Sequence, residues 1–187
     1  VRLFSVYGPR ERPEKLYPKL IRSLLEGYAF PLYEGSEHHT RSYTYVGDII
    51  DGLIAILHNL DASVGEIFNI GTDEAITTGE GIRIVEEIIG KQIQIDRKPR
   101  RAGDQLKTHA NIEKARRILA YNPSTSPQEG LEKTVQEKAP LAFTIQKILT
   151  SLTPTMRWNT AIMKLKSKKK SIYCWEQTTV IPLIRNP

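Results

Sequence analysis

Cysteine is almost absent from the sequence. Cys174 stands alone, so the chain can form no internal disulfide and no cysteine-based zinc centre of the usual kind, and a reducing cytoplasm is the expected compartment. No apolar run approaches the roughly 18 to 20 residues that a membrane-spanning helix needs, and the start lacks the charged and apolar regions of a signal peptide. A soluble protein is therefore expected. Internal repeats are missing too, which excludes a solenoid. The formal net charge is +6, yet a basic character spread along the chain is also lacking. Residues 1–150 carry 20 basic and 20 acidic side chains, and the excess arises where Arg157, Lys164, Lys166, Lys168, Lys169, Lys170 and Arg185 face Glu176 alone. An unbalanced charge confined to one segment gives no reason to read the rest as a nucleic-acid or membrane binder.

What is present reads as a folded chain of 187 residues with 40% apolar content, enough to bury a core. The first residue is Val1 rather than Met, and residues 1–6 already form a short apolar run ending in the turn signal Tyr7-Gly8-Pro9. The expectation is a fragment that begins inside a domain. Leu20, Ile21, Leu24 and Leu25 recur at helical spacing over 19–27, with Gly27 placed to stop the helix. Strands are predicted over 30–33, 41–46, 66–70 and 93–97. Ile49, Ile50, Leu53, Ile54 and Leu57 line one broad face of a helix reaching Leu60. Thr77 followed by Glu80 is a capping box for a helix to Ile89, which Gly90 ends. Asn111 can cap a helix through Leu119, and Ser126-Pro127-Gln128-Glu129 opens one that runs to Lys138. Alternating elements of these lengths give an α/β class. Residues 1–138 form the expected domain and 139–187 a basic tail.

Five segments in order, Tyr7-Gly8-Pro9-Arg10, Pro13-Glu14-Lys15-Leu16, Thr40 to Val46, Phe68-Asn69-Ile70-Gly71 and Arg101-Ala102-Gly103-Asp104, resemble the C-terminal half of the extended short-chain dehydrogenases. This is the NAD-dependent epimerase/dehydratase family of nucleotide-sugar enzymes. The resemblance implies late Rossmann strands plus a small C-terminal α/β substrate-binding lobe, with the N-terminal Rossmann half missing. It implies a UDP- or dTDP-sugar as partner, NAD in a full-length parent and a homodimeric parent. A strand cut off from its sheet exposes an apolar edge.

A nucleotide sugar carries a diphosphate, which paired arginines from separate segments can bind through bidentate hydrogen bonds. By resemblance Arg41 and Arg101 are those arginines, and Asp104 accepts hydrogen bonds from the ribose. The alternative for both arginines is a solvated surface position. The resemblance also sets Pro31, Leu32 and Tyr33 beside the base, or else in a core strand. Lys15 and Leu16 fall on the substrate side, and Ser5 takes the place of a residue that meets the sugar nucleotide. Asn69 either offers its amide to the phosphates or caps the next turn. Arg100 adds charge beside Arg101 or faces water. The family's aspartates are replaced by Ser42 and Gly47, leaving Asp48 alone, and the loop 34–39 is longer by one residue. The sequence holds no Tyr-x-x-x-Lys pair to act as the family's base, and no glycine-rich dinucleotide loop. Without its other half the chain is therefore expected neither to hold NAD tightly nor to turn over. His38 and His39 read as surface groups rather than metal ligands. The other reading is a non-catalytic binding protein whose Lys168, Lys169 and Lys170 dock on an acidic membrane or nucleic acid.

Overall fold

The computed structural model of the chain describes residues 1–139. Its strands are short and mostly parallel. β1 (Arg2–Leu3) pairs with β6 (Asn69–Ile70), β2 (Val6–Tyr7) with β5 (Thr44–Tyr45), and β3 (Phe30–Tyr33) with β8 (Ile95–Lys98), each in parallel. β4 (Thr40–Arg41) lies between β7 (Ile76–Thr77), antiparallel to it, and β9 (Lys107–Thr108), parallel to it. The helices are α1 (Leu16–Glu26), α2 (Val46–His58), α3 (Leu60–Ser63), α4 (Thr78–Ile89), α5 (Glu113–Leu119) and α6 (Pro127–Lys138). The lysine cluster at 168–170 and Cys174 lie outside the described residues. Among the described residues no helix is long and apolar enough to cross a membrane.

Local signals placed the ends of α4, the start of α6 and the stop of α1, whereas α2 ends at His58 instead of Leu60 and the short α3 was not expected. Gly27 and Gly90 stop α1 and α4 in the left-handed conformation that glycine adopts without a Cβ penalty. Thr77 and Glu80 form the reciprocal capping box. At α6, Ser126 accepts from the Glu129 amide at 3.2 Å, but the Glu129 carboxylate turns to Lys133 instead of closing the box. α1 starts three residues earlier than expected. Pro18 is tolerated there because its missing N–H falls in the first turn, where no intrahelical acceptor exists.

The strands depart further from expectation, because pairing and not periodicity decides their extent. The run over 1–6 is broken at Ser5, whose φ of 34° turns the chain from the β6 partner to the β5 partner. The run over 41–46 divides likewise into β4 and β5, with Ser42 between them fully buried and its hydroxyl accepting from the Ala110 amide at 3.1 Å. Only Asn69–Ile70 of the strand expected over 66–70 finds a partner. α5 begins at Glu113, whose amide donates to the Asn111 side chain at 3.1 Å.

Two apolar clusters organise these elements. The first gathers Leu20, Ile21 and Leu24 from α1, Phe30 and Leu32 from β3, Ile82, Val85 and Ile88 from α4, and Leu131 and Val135 from α6. The second gathers Ile49, Phe68, Ile70, Ile112, Leu119 and Tyr121 around α2, β6 and α5. The broad apolar face expected of α2 is only partly used. Ile49 is buried, whereas Ile50, Leu53, Ile54 and Leu57 are 38% to 63% exposed, since among the described residues nothing covers that side.

Candidate functional site

β3, Arg41 of β4, the start of α1 and the loop after β8 line a cavity of about 490 Å³. Strand register explains how distant residues reach it. Arg41 sits opposite Thr108 in the β4–β9 ladder, so its guanidinium donates to the Thr108 hydroxyl at 3.0 Å. Tyr33 ends β3 opposite Lys98, and the chain leaving β8 returns over it, which sets the Arg101 guanidinium 4.9 Å from the Tyr33 ring centre. Arg101 also donates to the Asp104 carboxylate at 3.1 Å and 3.3 Å. A planar guanidinium stacked on a ring and held by a carboxylate keeps donors available to a further acceptor.

Arg41 and Arg101 therefore line one cavity, although 60 positions separate them. Ser5, Lys15, Leu16, Pro31, Leu32, Tyr33 and Asp104 line it with them. Asn69 stands apart. Its amide donates to the Asn111 carbonyl at 3.0 Å, and it lines a different depression with Glu113, Lys114 and Arg117, because β6 lies beside β1 and away from β4. Arg100 is exposed and is not among the residues of the cavity wall. His39 corrects the surface reading given to the histidines. It is 8% exposed and lines the cavity, while His38 faces solvent. The 3-10 turn Ser36–His38 tucks the following residue inward, and no residue pattern announced that.

A second cavity, also of about 490 Å³, adjoins the first. The two share Ser5, Val6, Glu11 and Lys15 in their walls. Glu11 was not singled out by any motif. One oxygen of its carboxyl is shielded from solvent and has no hydrogen-bond partner among the described residues. Burial pushes this carboxyl up to about 7, against the pull of Lys15, Lys138 and Arg12. Behind it stand four tyrosines in edge and tilted contact, Tyr7 to Tyr17 at 5.3 Å, Tyr17 to Tyr43 at 5.1 Å and Tyr7 to Tyr45 at 6.0 Å. Burial raises Tyr7, Tyr17 and Tyr43 above the ordinary phenol range, so all three remain neutral at physiological pH. Asp48, the one retained aspartate, is buried and accepts from the Thr125 hydroxyl at 3.0 Å and from the amides of Ser124 and Thr125. It ties α2 to the segment before α6.

Comparison with known proteins shows the family and the fold. The model of the NAD-dependent epimerase/dehydratase family matches residues 1–71. UDP-glucuronate 4-epimerase 2 of Arabidopsis thaliana is 34% identical over 150 residues, covering 73% of this chain and 35% of that protein. The chain belongs to the NAD-dependent epimerase/dehydratase family. Within that family, an uncharacterised UDP-glucose epimerase of Bacillus subtilis is 32% identical over 72% of this chain and 42% of its own length. Among solved structures, UDP-glucuronic acid 4-epimerase from Bacillus cereus in complex with UDP-glucuronic acid and NAD superposes with a TM-score of 0.70 at 34% identity, covering 75% of this chain and 44% of that one. dTDP-glucose 4,6-dehydratase from Bacillus anthracis, in complex with NAD, gives 0.67 at 30% identity with the same coverage. The fold is thus a partial extended short-chain dehydrogenase, and the chain spans less than half the length of these relatives.

Gly79 and Gly81, the closest pair to a glycine-rich loop, are packed against protein. A Cβ at Gly79 would lie 3.1 Å from the Glu37 carbonyl, and one at Gly81 would lie 2.5 Å from the Tyr17 hydroxyl. Protein atoms thus fill the space in front of this helix start, where a glycine-rich dinucleotide loop would be open.

Proposed function

We propose that this chain supplies the sugar-nucleotide site of an NAD-dependent nucleotide-sugar epimerase or dehydratase, and that it is inactive without a Rossmann half contributed by further chain. One observation carries this reading. Arg41 of β4 and Arg101 of the loop after β8 line a single cavity with Ser5, Lys15, Asp104 and the strand that ends in Tyr33. Two guanidiniums matched to a diphosphate, an aromatic ring for the base and a carboxylate for the ribose are what a UDP- or dTDP-sugar requires. In this reading Arg41 and Arg101 hold the diphosphate, Tyr33 with Pro31 and Leu32 covers the base, and Asp104 accepts from the ribose. Ser5, Lys15 and Leu16 approach the sugar. Hydride transfer and the base that drives it belong to the missing half, where NAD is bound.

The exposed apolar residues support the need for that half. Val1 and Leu3 of the β1 segment and Leu53, Ile54 and Leu57 of α2 are well exposed, although strands of a parallel sheet are ordinarily covered on both faces. Titration calorimetry of the chain with UDP and with dTDP tests the site. Binding of at least one is expected, weakened about 10- to 100-fold by Arg41→Ala or Arg101→Ala, the range for a lost hydrogen bond to a charged group. Failure of both diphosphates to bind, or indifference to both substitutions, overturns the reading.

A further inference from the structure

Among the described residues, Glu11 is the only carboxylate in the wall shared by the two cavities. It is an awkward residue to place there. Its Oε2 is shielded from solvent without a hydrogen-bond partner among the described residues, and such a group costs about 1–3 kcal/mol when left unmatched. Arg12 on its own loop, Lys15 at the start of α1 and Lys138 at the end of α6 pull on its charge, and Tyr17 and Tyr43 face it from the aromatic wall. None of the ion pairs formed among the described residues uses it. Glutamine or a small apolar residue would remove the buried charge, so among the described residues nothing accounts for a carboxylate at this position.

The ligand geometry supplies one. In the nucleotide-sugar reading a diphosphate lies between Arg41 and Arg101 in the first cavity, and the sugar attached to it lies toward Ser5 and Lys15, in the wall shared with the second. A sugar ring offers several hydroxyl donors and carries no cation, the complement of an unmatched acceptor. We propose that Glu11 is a binding residue for the sugar portion of the ligand, its carboxyl accepting hydrogen bonds from sugar hydroxyls where the two cavities meet. This rests on the nucleotide-sugar reading of the first cavity and adds to it the group that grips the ring.

The test compares ligands that differ only in the sugar. The full chain at pH 8 is titrated with UDP and UDP-glucose, and with dTDP and dTDP-glucose. The glucose conjugate of whichever diphosphate binds is expected to bind about tenfold tighter than the diphosphate alone, the size of a hydrogen bond to a charged acceptor. Glu11→Ala removes that difference while the diphosphate affinity stays as in the unaltered chain, which also reports an intact fold. Glu11→Gln, which keeps one acceptor and no charge, retains part of it. An equal difference in Glu11→Ala, no difference in the unaltered chain, or loss of diphosphate affinity together with the sugar increment each overturns the proposal. If neither diphosphate binds the unaltered chain, the nucleotide-sugar reading fails and the role of Glu11 falls with it.

Discussion

The helices α1, α4 and α6 bury their apolar stripes against one another and β3, whereas α2 leaves most of its own in solvent. The two regions have comparable sequence patterns, each with apolar residues at helical spacing. Their difference lies in what surrounds them. Leu20 and Val85 are fully enclosed, while Leu57 is 63% exposed, because the first region contains every layer it needs and the second presents a face that none of the described residues reaches. A helix that is apolar on a face and uncovered there marks a surface built for contact. Periodicity alone therefore announces that a face is apolar and does not say whether the cover belongs to the same segment.

That contrast can be broken most directly in the closed region. Leu20→Ala should cost about 2–5 kcal/mol, as buried leucine truncations do, seen as a lowered midpoint in urea unfolding followed by circular dichroism. Next in size is Gly130→Ala, because a Cβ there runs into the Tyr7 hydroxyl. A loss of about 1–3 kcal/mol is expected, and Tyr7→Phe in the same chain should recover part of it. No recovery would show that helix α6 and not the tyrosine sets the constraint. A cap deletion is milder, with Thr77→Ala expected to cost about 0.5–2 kcal/mol by opening the capping box of α4.

Glu11 sharpens the comparison through pH. Its carboxyl is raised to about 7 in the folded chain, so between the ordinary glutamate value near 4.3 and about 7 the folded state binds more protons than the unfolded state. The stability drawn from this group is thus complete at the acid end of that window and falls as pH rises through it, then levels. Glu11→Gln should remove this slope and be the more stable protein at pH 8. A pH profile from pH 5 to 8 that is unchanged in the variant refutes the assignment. The smallest expected effect is in the open region, where Leu57→Ser should change stability by less than about 0.5 kcal/mol yet reduce binding of an apolar dye.

Much of the site was legible because it depends on short segments whose local chemistry is self-contained. Arg41, Arg101, Asp104 and the strand ending in Tyr33 stand in motifs that resemble the family, and all of them line the cavity. Asn69 shows the limit, since its segment resembles the family as closely but its strand pairs with β1 on another side of the molecule. Glu11 and His39 stand at the other extreme. No motif marked them, and their importance arises from burial by elements far along the chain.

The sequence by itself determined α4 and α6 and the C-terminal stop of α1, because caps and left-handed glycines act within a few residues of where they stand. It also determined that the class is α/β. Only the tertiary structure decided that two arginines 60 positions apart share one cavity, that the runs at 1–6 and 41–46 divide between partners, and that no other described residue covers the apolar face of α2. Hydrogen-bond pairing and burial join residues distant in the chain, and a local pattern carries no record of its partner.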